Sequence, residues 1–175
     1  LGENTGTRVT IEPNGYIRFY GDSGSSILSQ FTDTGQFMIN ETANSQMTVG
    51  LTINMGANDD QAFALKSSDV NVPMTDWIEN DTYFKIGKSE GGSGGASIHG
   101  YKDADGVAGY AIYMMGALGE AADTSTATSS AGVVQFDARV TNGSSGLTAV
   151  ASGGNAFHFS NGGSGVLTIK GITCY

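Results

Sequence analysis

Apolar and polar positions alternate along the first forty residues in two copies of one pattern. "RVTIEPNGYIRFY" at 8–20 and "ILSQFTDTGQFMIN" at 27–40 superpose when Gly15 is laid over Gly35, an offset of twenty. That alignment sets Ile11 on Phe31, Ile17 on Phe37 and Phe19 on Ile39. Each copy reads as a strand, a polar turn ending in glycine ("EPNG", "TDTG") and a second strand. Period-two alternation puts every other residue on one face of a sheet. The turns predict hairpins. Asn14-Gly15 has the composition of a two-residue type I′ turn, which needs positive φ at both centres. Gly35 supplies the left-handed position in a slightly longer second turn. A looser echo, "AFHFSNGGSGVLTI" at 156–169, predicts a third hairpin around an Asn-Gly turn.

Between these segments the pattern predicts more short strands. "MTVGLTINMG" (47–56) carries Met47, Val49, Leu51, Ile53 and Met55 on one face, and "QAFALKSSDV" follows as another strand. "PMTDWIENDTYF" (73–84) is the one stretch with a plausible helical turn, and Trp77 within it is expected as a core anchor. Strands are then expected in "ASIHGYKD", "VAGYAIYMMGALG", "GVVQFDARV" and "GLTAVA", with a low-complexity exposed loop at 119–132. Short strands separated by Gly-rich turns point to an all-β fold. The expectation is of short strand-turn repeats leading into an antiparallel β-sandwich or barrel-like domain, intertwined in an oligomer. Residues 1–46 form the shaft-like repeat segment and 47–175 the β-rich globular domain.

Composition sharpens this picture. Among 175 residues there are 27 Gly and 2 Pro, and only 14% are charged, against roughly 25% in an ordinary soluble domain. Gly, Asn and Thr suit tight turns and pleated strands, whereas long helices would need more Glu, Lys and Leu. A net charge of −9 with only eight Lys and Arg, scattered singly, argues against nucleic acid, because phosphate binding needs clustered cations. The same acidity disfavours anionic membrane surfaces. No apolar run reaches the roughly 20 residues needed to span a bilayer. The lone cysteine, Cys174, excludes an intrachain disulfide framework and reads as a terminal free thiol. Because the chain opens on Leu1, it is expected to be a processed product or a fragment.

A search for catalytic constellations finds none. His99 and His158 are the only histidines; "FHF" at 157–159 places His158 opposite two aromatics, as a surface residue. Nucleophile-elbow, zinc-protease and phosphate-loop motifs are absent. Carboxylates cluster at 58–60, 75–81 and 102–106 without a spacing that singles out a pair for glycoside hydrolysis. "KDADG" resembles the opening of a calcium loop at Asp103 and Asp105, but no further oxygen ligands follow in register, and an Asp-Gly turn explains the same residues. No cofactor is therefore expected, calcium at Asp103/Asp105 being the one open alternative. Tyr83, Tyr101, Tyr110, Tyr113 and Trp77 could stack on sugar rings, yet no sugar site is isolated by pattern.

The run "GLTINMGANDDQAFALKSSDV" (50–70), followed by "MTDWIENDTYFKIGKSEGGSGGASIHGY", resembles a domain of tail-fibre and other appendage proteins of tailed bacteriophages. "ALKSSDV" is its most specific part. The resemblance covers roughly 47–160, and the preceding repeats are similar to strand-turn units of fibre shafts. It implies a β-rich, trimeric, virion-surface or extracellular protein with a general role in host attachment, other virion or filament proteins as partners, and a host-surface glycan as an open candidate partner. It carries no catalytic residues. The ending "GSGVLTIKGITCY" departs from the acidic ending of that family.

An independent reason leads the same way. Isolated hairpins are marginal in water, so residues 8–40 need neighbours from other chains. Ile11, Ile17, Phe19, Ile27, Phe31, Phe37 and Ile39 are accordingly expected at a subunit interface. The reading is a structural and adhesive subunit, not an enzyme. The alternative is a subunit of a cellular extracellular filament assembled by strand exchange, and a glycan depolymerase ranks last.

Overall fold

The computed structural model describes residues 8–21, 26–105, 107–127 and 129–171. Cys174 lies outside them. The described chain is all-β, with twelve strands and no helix. It divides into two compact units, one running to Tyr113 and the other from Met114.

In the first unit, β1 (Arg8–Ile11), β2 (Ile17–Tyr20), β3 (Ile27–Phe31), β4 (Gln36–Ile39) and β5 (Gly50–Ile53) form one sheet in that order. The two repeats are its two hairpins, and their turns are built alike. Gly15 N–H donates to the Glu12 carbonyl at 3.0 Å, and Gly35 N–H to the Thr32 carbonyl at 3.2 Å. Both glycines are left-handed, at φ +87° and +88°. This is the three-residue hairpin loop, a tight turn followed by a left-handed glycine, and not the two-residue turn expected at Asn14-Gly15. Pro13 decides the matter: its fixed φ near −65° suits the second position of an ordinary turn, so the turn closes over Pro13-Asn14 and only Gly15 is left-handed.

A second departure follows β4. Residues 40–49 cross back over the sheet, and β5 pairs with β4 in parallel, so the sheet is mixed where a purely antiparallel one was expected. Asn40 starts the crossover at φ +54°, a conformation that asparagine tolerates. The strand foreseen at 47–56 is confined to Gly50–Ile53 because Met47 and Val49 belong to the crossover.

The same unit holds a three-stranded antiparallel sheet of β6 (Gln61–Lys66), β7 (Thr82–Glu90) and β8 (Gly94–Gly100). The long β6–β7 connection contains a single helical turn, with Ile78 N–H donating to the Met74 carbonyl at 3.3 Å, and does not continue as a helix. Val72 and Ile78 are its buried apolar residues. Trp77, expected as a core anchor, is instead 70% exposed, since the turn directs Ile78 inward in its place.

The second unit carries two hairpins, β9 (Arg139–Thr141) with β10 (Leu147–Ala149), and β11 (Asn155–Asn161) with β12 (Ser164–Lys170). In the latter the two-residue turn is Gly162-Gly163, both at positive φ, one residue beyond the Asn-Gly step read from sequence. No strand forms over 107–119. Its large apolar side chains, Val107, Tyr110, Ile112, Tyr113, Met114, Met115 and Leu118, stay exposed, and Tyr110 and Tyr113 stack on each other. None of the four sheets closes into a barrel. Among the described residues only three apolar side chains, Met38, Val72 and Ile78, are fully buried.

Candidate functional site

The register of the five-stranded sheet sorts its side chains onto two unlike faces. Across β1 to β5 the row Ile11↔Ile17↔Phe31↔Phe37↔Leu51 is apolar on every strand, and beside it Val9↔Phe19 and Ile39↔Ile53 flank Ser29, which pairs with both Phe19 and Ile39. Partners in register share a face, so these residues form a stripe, apolar except at Ser29, that crosses all five strands and carries no charge. Thr32 and Gln36 are the hydrogen-bonded pair beside the turn, which makes Phe31 and Phe37 a non-hydrogen-bonded pair, where side chains approach closest. Their rings stack with centroids 4.3 Å apart.

The opposite face runs through Thr10, Arg18, Gln30, Met38 and Thr52. Its polar groups other than the Thr10 hydroxyl, which is buried without a hydrogen-bond partner among the described residues, are knitted together. Arg18 Nη1 donates to both carboxylate oxygens of Glu12, at 2.8 and 2.9 Å, and Arg18 Nε to Gln30 Oε1 at 3.0 Å. Gln30 Nε2 continues the chain to the carbonyl of Thr42 at 3.1 Å. Asn44 Nδ2 reaches Thr52 Oγ1 at 3.0 Å, and Gln36 Nε2 reaches the Met47 carbonyl. The crossover of residues 40–49 is thereby held against the polar face, and it buries Gln30 and Met38 to 1% exposure. Glu41 anchors its start. Its carboxyl is held below the ordinary value, first by the Thr42 N–H and then by the Asn54 side chain.

The usual arrangement, apolar side covered and polar side wet, is reversed here. Ile11 stays 81% exposed, Val9 56%, Leu51 46% and Phe31 45%. Of the residues expected at an interface, Ile11, Ile17, Phe19, Phe31, Phe37 and Ile39 all lie on the open stripe. Ile27 does not share its register: it pairs with Tyr20 beyond a register shift in β2–β3. Val9, Leu51 and Ile53 belong to the stripe and went unforeseen. Leu51 and Ile53 could be found only by knowing that β5 pairs with β4. A smaller apolar surface lies in the second unit, a hollow of about 330 Å³ lined by Phe136, Phe157, Phe159 and Ile169 beside His158.

The chemical candidates do not converge. His158 Nδ1 lies 2.7 Å from Thr168 Oγ1 on the paired strand, and His99 Nδ1 lies 2.9 Å from the Tyr101 hydroxyl. At the supposed calcium loop, Lys102 Nζ sits 2.5 Å from Asp105 Oδ1 and 3.5 Å from Asp103 Oδ1, so an ammonium already bridges the two carboxylates. Among the described residues no three metal-ligating side chains gather. No family model, curated protein or solved structure matches the chain.

Proposed function

We propose that this chain is a structural and adhesive subunit of an extended homo-oligomeric appendage, a tail fibre of a tailed bacteriophage or a comparable virion projection, assembled as a trimer. The observation that supports this most is the uncharged stripe across β1 to β5, open on a sheet whose polar face the chain has already covered. An exposed apolar surface of this continuity marks an association site. A second copy of the same stripe is its natural occupant, because an apolar face without charges complements itself. The number three comes from the resemblance of residues 47–160 to appendage proteins.

Sedimentation equilibrium with negative-stain electron microscopy of the full chain tests the proposal. The expected result is a closed species of three chains at micromolar concentration. A folded monomer at that concentration would overturn the assembly, and an open helical filament would replace the closed trimer with strand exchange along a fibre.

A further inference from the structure

The three-stranded sheet carries a second surface of different chemistry. Gln61, Gly87 and Ser97 are aligned across β6, β7 and β8. Gly87 leaves the middle of that row without a side chain and helps to line a groove of about 250 Å³. Asp60, Gln61, Lys85 and Ser97 line it, and the exposed indole of Trp77 lines it as well. Gly87 is not free to change: a Cβ there would stand 2.9 Å from the Asp60 carbonyl, where the β6 edge is irregular.

Three polar groups of this groove, the Asp60 carboxylate, the Gln61 amide and the indole N–H of Trp77, have no hydrogen-bond partner among the described residues. Lys85 spends one donor on the Trp77 carbonyl at 3.4 Å and keeps two. Asp59 and Lys88, at the groove's end, pair at 2.5 Å. The four charged side chains therefore sum to zero. What remains is an exposed indole beside unpaired acceptors and donors, in a volume smaller than the roughly 300–1,000 Å³ of drug-sized pockets.

We infer that this groove binds one ring of a neutral glycan. A pyranose has an apolar C–H face to lay on the Trp77 indole, and vicinal hydroxyls that both donate to the Asp60 carboxylate and accept from Lys85 and Gln61. An anionic ligand would meet Asp60 without a surplus cation, and an apolar peptide side chain would leave the polar groups unpaired. The inference stands on the β6–β8 sheet and does not depend on the stripe. A monomeric chain that binds sugar would sink only the assembly, and a trimer indifferent to sugar only this inference.

Trp77 is the one tryptophan of the chain, so its fluorescence reads this site alone. The full chain is titrated with the methyl pyranosides of glucose, galactose, mannose and N-acetylglucosamine. The expected result is a saturable emission change with at least one of them, half-complete on the order of 1 mM, which is what a ligand of a dozen heavy atoms can reach. By saturation-transfer NMR with that glycoside, Trp77→Phe retains the signal, Trp77→Ala loses it, and Asp60→Ala weakens binding roughly tenfold. Three results would each overturn the inference: no saturable change with any of the four, undiminished binding by Trp77→Ala, or an emission already blue-shifted before sugar is added, as when protein covers the indole.

Discussion

Replacing Ile11 with lysine puts a charge on the most open residue of the apolar stripe. With 81% of its surface exposed, Ile11 packs little against its own chain, and exposed substitutions of this kind usually move stability by no more than about 0.5 kcal/mol. The folded single chain should therefore tolerate the change. An assembly should not. Full burial of an isoleucine contributes about 2 kcal/mol, and the fraction still open in the single chain is about 1.6 kcal/mol of that per copy. Three copies lose about 5 kcal/mol, between three and four decades in the assembly constant, before the cost of desolvating three ammonium groups is added. Sedimentation equilibrium of wild type, Ile11→Lys and Ile11→Leu at matched micromolar concentration reads this directly, with far-UV circular dichroism as the check on folding. Wild type and Ile11→Leu should sediment as trimer and Ile11→Lys as folded monomer. If Ile11→Lys associates as strongly as wild type, the stripe is not the contact surface.

Gln30→Ala should cost about 2–3 kcal/mol by urea unfolding, since it strands the Thr42 carbonyl and part of the Arg18 guanidinium in a buried network; an unchanged midpoint would mean that the crossover is not held through Gln30. Gly35→Ala should cost about 1 kcal/mol by the same measurement, because alanine is strained at φ +88° while the nearest atom to its Cβ, on Val49, is at an ordinary 3.5 Å. Glu41 has a lowered folded-state pKa, so its stabilising contribution is present above the ordinary carboxylate value of 4.5 and is lost as pH falls from there through the lowered value. Glu41→Gln should flatten the acid side of a plot of melting temperature against pH, and equal slopes for the two proteins would count against that role.

Much of the first sheet could be read from the alternation in residues 8–40, because turn glycines and period-two patterning are local signals. The strands, their hairpin order and six of the stripe residues follow from them. What escaped was non-local. Parallel pairing of β5 with β4 depends on where residues 40–49 settle, and that is decided by amides such as Gln30, Gln36 and Asn44 finding carbonyls and hydroxyls far along the chain. Trp77 was misplaced for a related reason. A large aromatic in an apolar neighbourhood is expected inside, but one helical turn can direct only part of its residues inward, and Ile78 took that place. Over 107–119, apolar content alone suggests a strand, but among the described residues the segment pairs with no strand, although residues 111–112 lie against Gly100 at the end of β8.

The orientation of the first sheet is itself informative. A sheet that needed only to fold alone would place its apolar set beneath the crossover, and a one-residue slip in register exchanges the two faces entirely. Both hairpins oppose that slip with the same three-residue loop, each fixed by a left-handed glycine. The crossover opposes it again, since its carbonyls at Thr42 and Met47 require Gln30 and Gln36 beneath them. Turning the apolar stripe inward would bury it against unpaired carbonyls while Arg18 lost Gln30 and Gln30 lost Thr42. The outward stripe is thus specified twice over, by turn geometry and by polar satisfaction. With so few apolar side chains buried in the described chain, covering that stripe is the largest stabilisation still open to the sheet, and association is expected to raise the stability of this segment by mass action over that of the folded single chain.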